Sequence, residues 1–470
     1  MINKNLTDIF VDSIYSIKDE NIPESAIKKV KECFLDYIGV TIAGAKMLES
    51  KNELFVSLTG IDEGSCTNEG SCTNEGSCNI EGPCTIIGQN KKTSLLQAVT
   101  INGVNSHVAE LDDGVISGII HPGAPVFSAL LSVAEKENIT FNDFCYGVLA
   151  AYEASVRIAN VIQPSHKKKG YHATATCGNI GVAMGIAVML NFSKSEMKDA
   201  VSAAAISAHG SLKALEDASE LKPFNAGSAA LNGVIAAFMS QSGFKGPDDA
   251  FSGNAGFFAQ MSDNADYTKL CRNKNDQFCI ENVYFKPYAA CRYCHPSIEA
   301  AFKIRKHPMF SIDNVEKINI STYSLAVLHH DHTQVNNVSS AKMSIPYSIA
   351  IALLLGHASV EAYSDTYVND TTVSSLMKKV TVSEDEALSA LFPEKSAALV
   401  QVLMKDGKII SERIEYPKGD PENPLSENEL IDKFFSLWNF AGKEKEKGKQ
   451  IIELFQSKQI DLKKIISLLR

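Results

Sequence analysis

Four short stretches set an imidazole or ammonium side chain directly before a proline or a glycine-marked helix opening. "IIHPGAP" carries His121 ahead of Pro122, and "GYHATATCGNIG" carries His172 ahead of Gly178 and Gly181. "LKPFNAG" carries Lys222 ahead of Pro223, and "FKPYAACRYCHPSIEA" carries His295 ahead of Pro296, with Lys286 and Arg292 close by. A helix start exposes unpaired N–H groups and the positive end of the helix dipole, which favour a carboxylate. Imidazole transfers protons near neutral pH, and a lysine fixed by a following proline can clamp a carboxylate or donate a proton. Taken alone, the His121 stretch reads rather as a simple cap, and the His172 stretch reads as well as a solvated basic turn as a functional one. Their repetition points to a pocket for a small polycarboxylate.

The densest polar run is "NGVNSHVAELDDGVISGIIHPGAP", which adds His107, Glu110, Asp112 and Asp113 to His121. Cys291, Cys294 and His295 spell C-x-x-C-H, a pattern for covalent haem attachment. They also form part of a metal set that "HHDH" at 329–332 could complete. Two cysteines and one histidine are an incomplete zinc set, so residue types alone leave haem, metal and proton transfer open. No G-x-S-x-G, no G-x-x-x-x-G-K-[ST] and no strand-borne G-x-G-x-x-G competes with these stretches.

The elements that must position these groups are mostly helices. Pro23 opens a segment in which Ile27, Val30, Phe34 and Ile38 share a stripe, and small-residue helices are expected at 124–135, 146–160, 178–191, 198–208 and 228–241. From about residue 268 the pattern changes. "VEKINISTYSL" and "KKVTVSED" read as strands, and "AALVQVLMKDGKIISERIEY" as a hairpin turning at Asp406-Gly407, interleaved with helices. The expected architecture is mainly α: a large all-α domain (1–267 with 410–470) and a smaller α+β lid domain (268–409). A six-residue repeat places cysteines at 66, 72, 78 and 84, and residues 63–84 read as a low-complexity surface insertion, since even spacing does not match paired zinc knuckles.

At 470 residues the chain needs more than one core, and 45% hydrophobic with 21% charged residues is ordinary for a globular protein. The net charge of −10 argues against nucleic acid or an anionic membrane as partner, so positive charge must be local to a ligand site. The polar, acidic start and the lack of a long apolar run predict a cytoplasmic protein, in which the eleven cysteines stay reduced.

Seven segments in order, "CFLDYIGVTIAGA", "NGVNSHVAELDDG", "HPGAPVFSALLSVAE", "GYHATATCG", "LKPFNAG", "FKPYAACRYCHPSIEA" and "AKMSIPYSIA", resemble the MmgE/PrpD family. That family includes 2-methylcitrate dehydratase, cis-aconitate decarboxylase and iminodisuccinate epimerase. The resemblance implies a helical domain with an α+β lid, a homodimer, and no metal or organic cofactor. It implies a lyase that dehydrates or decarboxylates a small di- or tricarboxylate, with an epimerase or isomerase of an amino- or imino-dicarboxylate as the alternative. It places catalytic roles on His121, His172, Lys222 and His295, and Glu110 as an acidic site residue beside Asp113. Lys222, His121 and a basic group near Arg292 or Lys286 would then hold the substrate carboxylates, with Glu110 and Asp113 also counted as substrate-binding residues. In the decarboxylase branch an aspartate stands at the position of Glu110 and a threonine at that of Gly114. The resemblance also makes the second cysteine of C-x-x-C-H incidental.

Overall fold

The computed structural model describes residues 5–59, 82–215, 219–273, 276–457 and 459–470. Its larger part is a stack of helices. Phe141–Ile162 starts at Thr140, whose hydroxyl accepts the Asp143 N–H at 3.1 Å. Beside it runs Gly178–Met189, buried at every position, which is why its sequence is apolar on all sides. Close approach of these two helices depends on glycine: a Cβ on Gly181 would lie 2.6 Å from the Ala151 carbonyl oxygen, and one on Gly185 would lie 2.7 Å from that of Gly147. Helices Leu95–Val108 and Phe224–Gln241 meet in the same way, with a Cβ on Gly103 only 2.7 Å from Gly227 Cα. That contact fixes the ends of both helices, from which two parts of the site emerge.

The helix Glu24–Met47 begins one residue after Pro23, which caps it. It contributes Phe34 to an aromatic cluster with Phe127, Phe144 and Phe455 at centroid distances of 5.3–5.5 Å. Phe455 comes from the tail, whose helices Glu427–Phe440 and Lys445–Gln456 lie on this body. Lys433 of the tail reaches Asp36 at 2.5 Å and the Leu111 carbonyl at 2.8 Å, tying the tail to the segment that carries the acidic residues of the site.

The smaller part is built on a four-stranded sheet of order β4-β3-β5-β6, where β3 is Val315–Thr322, β4 Val380–Glu384, β5 Ala398–Met404 and β6 Ile409–Ile414. A separate hairpin pairs β1, Cys84–Ile86, with β2, Lys91–Thr93. β3 runs parallel to β4 and antiparallel to β5, and β5–β6 is a hairpin with Gly407 at φ +83° in its turn. Val400 and Val402 on one face of β5 are buried against the helices His295–Arg305 and Ile345–Leu355, which form a second core. The protein is thus mainly α with a smaller α+β domain.

The packing divides elsewhere than at residues 268 and 409. Phe278, Ile280, Val283 and Phe285 enter the helical core. The hairpin's second strand stays with its partner through a ladder from Ala398–Ile414 to Leu403–Ile409, because cutting it would strand a row of backbone donors. Cys84, placed in the surface insertion by its repeat, is fully buried in β1; Cys66, Cys72 and Cys78 lie outside the described residues.

Candidate active site

The site forms where the helix Leu95–Val108 ends and the chain turns back toward the helix Gly123–Glu137. Glu110 takes φ +55° in that turn, a left-handed conformation that a glutamate adopts only under constraint. The constraint is ionic. Its carboxylate is bonded to Lys222 and lies 3.3 Å from Lys286 Nζ. Lys286, with no exposed surface, also lies 3.4 Å from Asp112 Oδ1. Asp112 Oδ2 in turn accepts from His107 Nδ1 at 2.7 Å. Burial works to raise the Glu110 pKa, yet Lys222 and Lys286 together hold it well below the usual carboxylate range. Asp112 is likewise held low against burial, by His107 and Lys286. The same two carboxylates keep Lys286 protonated despite its burial.

Three imidazoles meet over this network. Ring centroids of His107 and His121 are 5.2 Å apart, those of His107 and His172 5.7 Å, and those of His121 and His172 6.4 Å. His121 sits one residue before Pro122, the cap of the helix Gly123–Glu137; its N–H is held by the Thr174 hydroxyl at 3.0 Å, and its Nδ1 lies 2.7 Å from the Asp113 carbonyl. A carbonyl only accepts, so Nδ1 carries the proton and Nε2 has the free lone pair. Burial, reinforced by the Lys286 charge, pushes the His121 pKa down to about 3, so the ring is neutral at physiological pH. His172 is arranged the opposite way. The Asn225 Nδ2 amide lies 3.3 Å from the Ser211 carbonyl, which identifies it as the NH₂ end, and it also lies 3.2 Å from His172 Nδ1. His172 Nδ1 therefore accepts and Nε2 carries the proton. Burial and the His107 and Lys222 charges hold this ring neutral too.

His121, His172, Lys222 and Arg292 wall one cavity, joined by Lys167, His330, Tyr284, Tyr293 and Cys291. Among the described residues of that wall none is Asp or Glu. Lys222 precedes Pro223, the cap of the helix Phe224–Gln241, and opens onto an adjoining cavity with Glu110 and Lys342. Arg292 is bonded to Asp420 through Nη2, while its buried Nε and Nη1 have no protein partner. A guanidinium with two free donors in a cation-lined cavity is a carboxylate receptor. Cys291 Sγ lies 3.3 Å from His330 Nε2, whose ring is fixed by the Leu328 carbonyl at 2.6 Å from Nδ1.

Three of the residues expected to meet substrate face elsewhere. Asp113 turns inward, accepting from the Gly123 N–H at 2.9 Å and from the Tyr152 hydroxyl at 2.5 Å. The anion at that helix start is thus the protein's own carboxylate, and burial pushes its pKa up to about 7. Lys286 is spent on Glu110 and Asp112 and does not reach the cavity wall. His295 is the first residue of its helix, but its ring packs 5.1 Å from Tyr288 and its Nε2 donates to the Ala290 carbonyl at 3.2 Å. Its Nδ1 is buried without a partner, and burial together with the Arg292 charge keeps the ring neutral. The C-x-x-C-H run does not converge either: Cys291 faces His330 while Cys294 is buried in the second core. Among the described residues no group of three His, Cys, Asp or Glu side chains is placed to hold a metal ion.

Conversely, the site includes groups that residue types alone did not single out. Lys167 belongs to a run of three lysines; Lys168 is exposed and Lys169 pairs with Asp263 at 2.7 Å, but Lys167 turns inward on the short helix Ser165–Lys168. Tyr284 reaches the cavity because position 114 is glycine: a Cβ there would lie 2.3 Å from the phenol oxygen. The two residues exchange backbone hydrogen bonds at 2.9 and 3.2 Å.

Fold and site together define a mainly helical protein with an α+β domain, in which histidines and cations from distant segments line one cavity. Family models for the MmgE/PrpD N-terminal domain and C-terminal domain match residues 9–270 and 288–457, and the chain belongs to the MmgE/PrpD family. It is 24% identical over 454 residues to cis-aconitate decarboxylase of Mus musculus, covering 92% of this chain and 87% of the relative. It is 23% identical over 445 residues to cis-aconitate decarboxylase of Aspergillus terreus, covering 90% and 87%. With the mitochondrial 2-methylcitrate dehydratase of Yarrowia lipolytica it shares 23% identity over 292 residues, 59% of this chain and 55% of the relative.

Proposed function

We propose that the protein is a lyase that dehydrates or decarboxylates a small di- or tricarboxylate through acid–base catalysis by its own side chains. The observation that carries this reading is a cavity whose described walls hold Lys222, Arg292 and Lys167 but no carboxylate, with two neutral imidazoles of opposite tautomer facing it. Arg292 binds one substrate carboxylate through an unpaired donor, Nε–H or Nη1–H, while Nη2 stays on Asp420. Lys222, held from behind by Glu110, binds a second.

His121 Nε2 has the lone pair and acts as base toward a C–H next to a bound carboxylate. Charge building on that carboxylate in the transition state is stabilised by Arg292 and Lys222, which are oriented before substrate arrives. In dehydration His172 Nε2–H donates to the departing hydroxyl, so that water leaves. In decarboxylation no C–H is removed, the electron pair of the broken C–CO2 bond stays on carbon, and His172 Nε2–H supplies the one proton that carbon takes. The two ring centroids are 6.4 Å apart, so both imidazoles act on the same small stretch of substrate. The Glu110–Lys286–Asp112–His107 network holds both histidines and Lys222 in place from behind. The names of the relatives above support lyase chemistry on a tricarboxylate.

Two neutral imidazoles on one cavity, one with a free lone pair and one with a proton, also suit proton removal and return, which keeps epimerisation of an amino- or imino-dicarboxylate as the second reading. A panel of citrate-like, aconitate-like and aspartate-like acids, assayed for water, carbon dioxide and product stereochemistry, separates the two. Lyase products abolished by His121→Gln support the proposal. Turnover of none of these acids, or full activity in His121→Gln, overturns it.

A further inference from the structure

Lys167 is the one member of the lysine run 167–169 whose side chain joins the cavity wall. It comes from the helical body, after Pro164, and its ammonium lies 5.8 Å from the ring centroid of Tyr293 in the smaller part. No carboxylate among the described residues pairs with it. Cys291, Lys222, His172 and His330 stand on the same wall. Arg292 and Lys222 lie on the same wall, so three cations from three separate segments converge on one hollow. An uncompensated ammonium in a half-buried place is unfavourable unless an anion joins it. Burial already moves its pKa down to about 8.

We propose that Lys167 is a specificity-determining residue that binds a third anionic group, so that the cavity favours tricarboxylates over dicarboxylates of the same length. The inference rests on the polycarboxylate reading above and adds to it a residue and a charge count. With Arg292 and Lys222 holding the two outer carboxylates, Lys167 meets the group that branches from the carbon chain between them. A dicarboxylate leaves Lys167 unpartnered and gains nothing from it. The Tyr293 ring, 5.8 Å from the ammonium, is within cation–π range of it.

The test is calorimetric and needs no turnover. Propane-1,2,3-tricarboxylate and glutarate differ by one carboxylate and offer no hydroxyl or double bond to react. Wild-type protein is expected to bind the tricarboxylate more tightly. Lys167→Met should weaken tricarboxylate binding by about 10- to 100-fold, the worth of one charge-assisted hydrogen bond, while changing glutarate binding by less than about threefold. Lys167→Arg should restore the preference, and Lys168→Met, which removes the same charge one residue away, should leave both affinities as they were. An unchanged ratio of the two affinities in Lys167→Met, or no preference in the wild type, overturns the role of Lys167 alone. A wild type that binds neither acid overturns the polycarboxylate reading together with it.

Discussion

Asn225 offers a test in which the closest isostere should do more harm than outright deletion. Its NH₂ group is anchored on the Ser211 carbonyl at 3.3 Å and points at His172 Nδ1 from 3.2 Å, forcing the His172 proton onto Nε2, the nitrogen assigned as donor. Asn225→Asp replaces that donor with a carboxylate that accepts, so Nδ1 becomes protonated and the neutral ring loses its Nε2 proton. A hydrogen bond to a charged group contributes about 1.5–3 kcal/mol, which leaves the productive tautomer at roughly one part in ten to one in a hundred. The kcat should fall by about that factor. Asn225→Ala removes the bias without reversing it, and should cost only about threefold, since neutral imidazole populates both tautomers when nothing selects one. The order of kcat is therefore wild type, then Asn225→Ala, then Asn225→Asp. The assay is steady-state turnover of whichever acid the panel identifies, with imidazole ¹⁵N shifts reporting the tautomer. Activity of Asn225→Asp equal to or above that of Asn225→Ala, with His172 still protonated at Nε2, would refute the assignment of His172 as donor.

Other consequences follow from the buried charges. Lys286→Met leaves Glu110 and Asp112 buried without their shared cation and should destabilise the fold by about 3–5 kcal/mol in denaturant titration, with Glu110→Gln recovering part of the loss. Asp113 has a folded pKa raised to about 7, so its contribution to stability is full below its unfolded pKa near 4 and is lost as pH rises through 7. Asp113→Asn keeps both partners without the charge, its amide donating to the Tyr152 oxygen in place of accepting from it; the melting temperature should match the wild type near pH 4 and exceed it at pH 8, and no difference at pH 8 contradicts the shift. Gly114→Ala drives a methyl into the Tyr284 phenol and should cost about 1–3 kcal/mol in denaturant titration and most of the activity, and Tyr284→Ala should cost less in the Gly114→Ala chain than in the wild type because the clash is relieved.

The helices were legible because their periodicity or small-residue content is a local property, and the expected segments at 124–135 and 146–160 correspond to Gly123–Glu137 and Phe141–Ile162. The parallel pairing of β3 with β4 was not legible, since the two strands are joined through several helices and nothing local in either sets the other's direction. Within the site, His121, His172 and Lys222 announced themselves through the loop-to-helix junctions that carry them. Asp113 was seen in the polar run beside Glu110, but it faces inward and accepts from the Gly123 N–H at the helix start. Lys167 was hidden among equivalent neighbours: only the phase of a four-residue helix separates it from the exposed Lys168. His107 was seen in the polar run but given no role, because its partner Asp112 is brought to it by the tight turn through Glu110, whose φ no residue type reveals.

The most direct measurement is a crystal structure of the protein with propane-1,2,3-tricarboxylate bound. The account predicts one carboxylate on Arg292 and another on Lys222, with the carbon chain in contact with His121 and His172. A ligand bound away from this wall, or one whose carbon chain touches neither imidazole, would contradict it.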